Sequence, residues 1–250
     1  MGKTIFVSDL HVRGLQDPTQ EKFVAFLKEV SPGLSTLVIG GDLFDFWVGY
    51  KGVVFYEYLP ILNALRELVQ RGVTVYYIEG NHDFHLGPFF TDILKIHVII
   101  KEATLKIGDT TLYVAHGDCV NPKDYGYLWL RWFLRSWGVK WIIRWLPPAW
   151  AWWISKRSSH VSRTYRSEDP HTAQLFRAFA KEKLNTPALD AVILGHSHHP
   201  DELSISIDGK TKYYFNMGDW IRHCSYVELD KNFSLKFWGV GTKKFDKDAQ

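Results

Sequence analysis

Five stretches of the chain share one pattern, an apolar β-rich run that stops abruptly at polar residues. They are Thr4-Ile-Phe-Val-Ser-Asp9-Leu-His11, Leu37-Val-Ile-Gly-Gly-Asp42, Val75-Tyr-Tyr-Ile-Glu-Gly-Asn81-His82-Asp83, Thr111-Leu-Tyr-Val-Ala-His116-Gly-Asp118 and Ala191-Val-Ile-Leu-Gly-His196-Ser-His198. Short runs rich in β-branched and aromatic residues, bounded by glycine, predict buried strands. Between them the spacing becomes helical. Phe23, Val24, Phe26, Leu27 and Val30 predict a helix over 21–30, ended by Pro32-Gly33, and 58–70 predicts a second, stopped by Arg71-Gly72. A third is expected over 170–184, with Leu175, Phe176, Phe179 and Ala180 on one face. Residues 99–107 and 110–115 flank Gly108-Asp109 and predict a hairpin. Beyond residue 200 a β-meander is expected over 203–207, 212–216, 226–229 and 235–238, with Asp208-Gly209 as a hairpin turn. Strands alternating with helices predict an α/β fold.

Residues 122–169 break this pattern. They contain Trp129, Trp132, Trp137, Trp141, Trp145, Trp150, Trp152 and Trp153, interleaved with Arg131, Arg135, Lys140, Arg144, Lys156, Arg157, Arg163 and Arg166. Between Lys123 and Arg166 the only acid is Asp124. Pro147-Pro148 divides the segment into at least two helical pieces. The expected organisation is a core of 1–121 and 170–250 with a helical insert, or lid, over 122–169. A plain helical core explains the tryptophans but not the one-sided charge. Interleaved Trp and Lys/Arg suit a helix in the membrane interface, or a cleft for a lipid with an anionic head. A nucleic-acid surface would use the same residues through stacking and phosphate contacts. The lipid reading is the expectation, with no nucleic acid and no obligate protein partner.

Charge and cysteines add little. A formal net charge of +3 is too small to indicate nucleic acid by itself. Cys119 and Cys224 read as reduced thiols in a reducing compartment. The first strand begins by Thr4, which predicts no signal peptide. No apolar run approaches the roughly 18 residues of a membrane span.

The polar residues at the strand ends carry the chemistry. Aspartate, asparagine and histidine, rather than cysteine, point to oxygen- and nitrogen-ligated metals such as Mn²⁺, Zn²⁺ or Fe²⁺. Asp9 and His11, two apart in an extended segment, face one side and can share an ion. Gly40-Gly41 permits the sharp turn that delivers Asp42. His196 and His198 are spaced to reach two different ions. Asn81 offers a neutral oxygen, and His82 beside it is a candidate acid with Asp83 to orient it. The aromatic stretch 43–47 is either core beneath the site or, through Trp47, a wall of the substrate cleft. His85 and His97 lack such context and read as ordinary.

In order from Asp9 to His198, the blocks Asp-x-His, Gly-Asp, Gly-Asn-His-Asp, a later His and Gly-His-x-His resemble the calcineurin-like metallophosphoesterase family. The resemblance implies a four-layer αββα sandwich with a dinuclear centre at one end of two packed sheets. By that match Asp9, His11 and His198 hold one divalent ion, Asn81, His116 and His196 hold the other, and Asp42 bridges them. Mn²⁺ is the first expectation, with Zn²⁺ or Fe²⁺ as alternatives. Gly41-Asp-Leu-Phe with Trp47 and Gly49, and the Trp/Arg-rich segment after His116-Gly-Asp118, are similar to the UDP-2,3-diacylglucosamine pyrophosphatase family of lipid A biosynthesis. That implies a lipid-linked nucleotide substrate split to lipid X and UMP, and a cytoplasmic protein peripheral on the inner membrane. It also implies head-group contacts at Asp124, Tyr127, Ser159, Arg163 and Arg166. That family usually has Arg where this chain has His82, the commoner residue among general phosphodiesterases of the superfamily. The alternatives are a general phosphodiesterase or nuclease acting on soluble esters or nucleic acid, and a membrane-binding relative without activity.

Overall fold

A computed structural model describes residues 2–50, 52–145, 147 and 170–239. Its first sheet has the order β11-β10-β1-β2-β3-β4. Strands β1 (Lys3–Val7), β2 (Leu34–Ile39), β3 (Thr74–Ile78) and β4 (His97–Ile99) run parallel. The antiparallel pair β10 (Ser225–Leu229) and β11 (Phe233–Phe237) closes one edge. The second sheet has the order β5-β6-β7-β9-β8. It is built from β5 (Glu102–Ile107), β6 (Thr110–Ala115), β7 (Ala191–Leu194), β8 (Asp201–Ile207) and β9 (Lys210–Asn216).

Side-chain alternation explains the layering. In β1 and β2, Ile5, Val7, Leu37 and Ile39 face outward onto Phe23, Phe26 and Leu27 of α1 (Pro18–Val30) and Leu62 and Leu65 of α2 (Leu59–Gln70). Their neighbours Phe6 and Val38 point the other way, into a core shared with Leu112, Val114, Ile193 and Phe215 of the second sheet. Tyr113, Val192 and Leu194 then face Phe176, Ala180 and Leu184. These belong to the helix over residues Pro170–Leu184. A strand buried on both faces must be apolar at every position, which is why these runs read as continuous hydrophobic stretches. The four-layer αββα arrangement implied by the family resemblance is the one observed.

Two expectations are corrected. The single strand over 99–107 is two strands in different sheets: β4 pairs parallel to β3, and the chain then crosses to pair β5 antiparallel with β6. Likewise the meander after residue 200 is two hairpins in different sheets, β8–β9 and β10–β11. Hydrophobic alternation marks a strand but does not say which sheet it joins. The Asp208-Gly209 turn is as expected, with φ of 51° and 75° at its central residues, the positive values that a tight two-residue turn needs.

Of segment 122–169, the structure describes α3 (Tyr125–Leu134) and α4 (Trp137–Trp145). No residue of α3 is buried. Trp150, Trp152, Trp153, Ser159, Arg163 and Arg166 lie outside the described residues.

Candidate metal centre

The C-terminal ends of β1, β2 and β3 lie beside those of β6 and β7, the edge where open α/β sheets place their sites. Backbone bonds knit the loops leaving them. The Asp9 amide donates to Gly41 O (3.1 Å), the His11 amide to Asp42 O (2.9 Å) and the Gly195 amide to His116 O (2.9 Å). Five of the seven expected ligands have left-handed backbone: Asp9, His11, Asp42, His196 and His198, with φ from 48° to 67°. Non-glycine residues are uncommon there, and such strain concentrates at functional sites. The glycines beside them leave no room for a side chain. A Cβ on Gly195 would lie 2.7 Å from Asp9 Oδ2, and one on Gly80 would collide with the Asp42 carboxylate.

The carboxylates of Asp9 and Asp42 are each tied by one oxygen and leave the other facing a common space. Asp9 Oδ2 accepts from Ser8 Oγ (2.6 Å) and from the His196 amide (2.8 Å). Asp42 Oδ1 accepts from the His82 amide (2.9 Å). The remaining atoms, Asp9 Oδ1, Asp42 Oδ2 and His11 Nε2, are buried without a hydrogen-bond partner. His11 Nε2 lies 3.8 Å from Asp9 Oδ1 and 3.6 Å from Asp42 Oδ2, and His198 Nε2 lies 3.5 Å from Asp9 Oδ1. On the other side, His116 Nε2 lies 3.5 Å from Asp42 Oδ2 and 3.1 Å from both Asn81 Oδ1 and His196 Nδ1. Asp42 Oδ2 thus stands between two groups of ligand-type atoms. Buried polar atoms are rarely left unpaired, and a donor set of carboxylate, amide oxygen and imidazole fits divalent cations.

The electrostatics agree. Burial pushes the Asp42 carboxyl up, but the imidazoles of His116, His82 and His11 around it bring it well below the ordinary range. Burial pushes His116 down, and the charge of Asp42 more than reverses this, to about 10. Burial lowers His11, which favours the neutral imidazole that ligates metals. Supporting partners orient the rings. His116 Nδ1 donates to Gly40 O (2.8 Å), turning Nε2 toward Asp42, and Asp219 lies 3.5 Å from His198 Nδ1.

Several expected roles change. Asp83 does not orient His82. Its buried carboxylate accepts from the amides of Asp42 (3.0 Å), Leu43 (2.7 Å), Phe44 (3.3 Å) and Gly80 (2.9 Å) and from Tyr77 Oη (2.5 Å). It clamps the turn that carries Asp42, and burial together with the Asp42 charge raises it to about 7. His82 instead places Nδ1 3.0 Å from Asp45 O, with its ring edge-on to His11 at 4.7 Å. Trp47 is not a cleft wall. It is 1% exposed, packs on Phe44, Tyr58 and Phe90, and donates from Nε1 to Leu86 O (3.1 Å). The aromatic loop is core because its side chains fill the space between the Asp42 turn and the α2 side of the first sheet. Asp124 caps α3, accepting from the Tyr127 amide (3.0 Å). Tyr127 is near the centre: its ring lies 6.2 Å from that of His196 and its hydroxyl donates to Asp118 (2.8 Å). Asp118, Asp219 and Glu79 were given no role from sequence, and Arg135 was counted only among the basic residues of 122–169. Asp118 and Glu79 stood inside marked strand-end stretches, Asp219 in none.

Comparison with known proteins agrees with this geometry. The model of the calcineurin-like phosphoesterase family matches residues 2–200, which include every strand end described above. Proteins named UDP-2,3-diacylglucosamine hydrolase are similar along nearly their whole length. That of Nitrosococcus oceani is 30% identical, covering 88% of this chain and 88% of the relative. That of Pseudomonas paraeruginosa is 27% identical over 91% and 95%, and that of Vibrio cholerae 28% over 94% and 97%. An ordered set of strand-end blocks, a two-sheet sandwich that brings them together and a family match through all of them lead to one conclusion: the chain belongs to the calcineurin-like phosphoesterase family.

Proposed function

We propose that this protein is a metal-dependent hydrolase that cleaves the pyrophosphate bond of UDP-2,3-diacylglucosamine to lipid X and UMP. The observation that carries the reading is the set of buried, unpartnered atoms Asp9 Oδ1, His11 Nε2 and Asp42 Oδ2 facing one another at the strand ends. Asp9, His11 and His198 would hold one divalent ion and Asn81, His116 and His196 the other, with Asp42 shared. Mn²⁺ is the first candidate, ahead of Zn²⁺ and Fe²⁺. Two such ions would supply charge to offset that of the phosphoryl oxygens and would lower the pKa of a bound water toward about 7.

The chain's own residues do the positioning that phosphoryl transfer chiefly needs. Asp42 is held rigidly by the Asp83 clamp. His82, with Nδ1 donating to the Asp45 carbonyl, presents Nε2 to a phosphoryl or leaving-group oxygen, to which it donates only as the imidazolium, bringing charge together with the proton. An arginine would serve the same end, so His82 is compatible with a pyrophosphate, whose leaving group is already good. Tyr127, beside His196, borders the same opening.

The lipid part of the substrate is assigned to α3 and α4. Trp129, Trp132, Trp137, Trp141 and Trp145 are 55–80% exposed, so they do not form a core of their own among the described residues. Apolar exposure on this scale, with Lys140 and Lys123 near it, suits acyl chains and an anionic membrane surface. The protein is accordingly proposed to be peripheral on the cytoplasmic face of the inner membrane, with Ser159, Arg163 and Arg166 as proposed head-group contacts. No described helix is long and apolar enough to cross a membrane. The test is a product assay with Mn²⁺. UMP and lipid X from UDP-2,3-diacylglucosamine, with little turnover of a small chromogenic phosphodiester, support the reading. Turnover of the small ester alone would leave the metal site and remove the substrate.

A further inference from the structure

Helix α3 has two unlike faces. Trp129, Leu130, Trp132 and Phe133 are 44–68% exposed. On the other face Tyr127, Arg131 and Arg135 recur at intervals of four, which stacks them along one side. All three reach down to the strand ends. The Tyr127 hydroxyl and Arg131 Nε both donate to Asp118 Oδ2, at 2.8 Å and 2.5 Å. Asp118 is two residues beyond His116, at the end of β6 in the second sheet. Burial raises its carboxyl, and the charges of His116 and Arg131 lower it below the ordinary value.

Arg135 reaches the other sheet. Its guanidinium donates to Glu79 Oε2 (3.0 Å), Ile100 O (2.7 Å), Gly80 O (2.8 Å) and Glu79 O (3.4 Å). Its side chain is 10% exposed and that of Glu79 5%. Glu79 is fixed in turn by the Leu86 amide (3.1 Å). Residues 79 and 80 immediately precede Asn81, at the end of β3. A third tie comes from His85, whose Nε2 donates to Leu134 O (3.3 Å). One helix face therefore spans the two sheets at the mouth of the centre, fastened beside Asn81 on one and beside His116 on the other.

We propose that Arg135 and Arg131 are positioning residues, and that α3 is a brace setting the relative placement of Asn81 and His116. This rests on the assignment of those two residues as ligands of a common ion. The planar, five-donor guanidinium suits this task, since it can hold a carboxylate and two or three carbonyls together where an ammonium cannot. Partners that orient metal ligands typically matter by 10–100-fold in metal affinity or activity. The brace also means that the segment carrying the exposed tryptophans cannot be deleted without loosening the centre. Loss of all activity on truncating it would not by itself identify a lipid pocket.

The experiment compares wild type with Arg135→Ala, Arg135→Lys, Arg131→Ala and Glu79→Gln. Asp17→Ala, a cap variant of α1, serves as a control for general loss of stability. Each protein is loaded with Co²⁺, its visible spectrum and metal affinity recorded, and kcat and KM measured on a small chromogenic phosphodiester below its Tm. Expected are an altered Co²⁺ spectrum and about 10–100-fold lower kcat or metal affinity in Arg135→Ala, with KM little changed and only partial recovery in Arg135→Lys. Arg131→Ala should show the same at smaller size, and Asp17→Ala neither effect. Where Arg135→Ala does not fold, the isosteric Glu79→Gln decides. Wild-type spectrum, affinity and kcat in the folded Arg135 or Glu79 variants would overturn the brace. Failure of wild type itself to bind Co²⁺ would instead overturn the metal assignment.

Discussion

The strand-end cluster and the α3–α4 surface are opposite exceptions to the same rule. In the cluster, polar groups lie where apolar ones belong: Asp9, Asp42 and Asp83 are fully buried. On α3 and α4, apolar groups lie where polar ones belong, with Trp137 80% and Trp145 73% exposed. A buried polar group or a large exposed apolar patch is the informative kind of residue. The first calls for a cation and the second for an apolar phase, and the substrate proposed here, a charged pyrophosphate joined to a lipid, has need of both. The two regions also differ in how they are held: the cluster by backbone bonds between loops, α3 by side chains, chiefly Tyr127, Arg131 and Arg135, that reach the strand ends.

The largest expected effect is at the point shared by both ion sites. Asp42→Ala should lose bound metal and reduce turnover by more than the ~100-fold typical of a supporting residue, read by metal analysis and steady-state rates. Full metal content with retained activity would remove Asp42 from the bridging position. Asp83→Ala separates a clamp from a catalyst. It strands buried amides and the Tyr77 hydroxyl, so a loss of about 3 kcal/mol is expected in denaturant unfolding. A fall in activity without any loss of stability would return Asp83 to a catalytic role.

On the opposite region, replacing Trp129, Trp132 and Trp137 together by Ser removes indoles worth ~1 kcal/mol each in partial burial, weakening partition onto anionic vesicles by roughly 100-fold. Stability should stay within about 0.5 kcal/mol, and a large drop in Tm would show that these side chains are core after all. Metal removal sharpens the contrast from the other side. Chelation should lower unfolding free energy by about 2.7 kcal/mol for each ion held, relative to protein at one hundred times that ion's Kd, and the triple Trp variant should respond identically.

The smallest effect is a control outside both regions. Asp17 caps α1, accepting from the Thr19 amide (3.0 Å), and Asp17→Ala should cost about 1 kcal/mol. Burial raises the Asp17 carboxyl, but Arg13 and the local amides bring it below the ordinary value. The folded state therefore holds this group deprotonated to lower pH than the unfolded chain does. Its contribution is complete above the unfolded value, near pH 4, and fades as pH falls through the native one. The two proteins should converge in stability in strong acid, as urea unfolding across pH would register.

What could be read from sequence was local. Asp42, Asn81, His116 and His196 each end a hydrophobic run, and the run and its terminus sit side by side in the chain. The alternation of strands and helices was legible too, whereas the four layers were implied by the family resemblance. What could not be read depends on partners distant in sequence. Asp83 clamps the amide of Asp42, 41 residues away, and looks locally like the neighbour of His82. Arg135 finds Glu79 across 56 residues, and composition alone counts it with the exposed basic residues around it. Trp47 shares its aromatic character with a cleft wall, and only its packing against Phe44 and Phe90 makes it core. Ser159, Arg163 and Arg166 fall outside the described residues and keep their standing as proposed contacts.

The most direct test is a crystal grown with Mn²⁺ and measured at the manganese absorption edge. Two anomalous peaks about 3.5–4 Å apart are expected, one against Asp9, His11 and His198, the other against Asn81, His116 and His196, with Asp42 touching both. A single peak, or ions bound away from Asp42, would contradict the convergence of the strand ends on a two-metal centre.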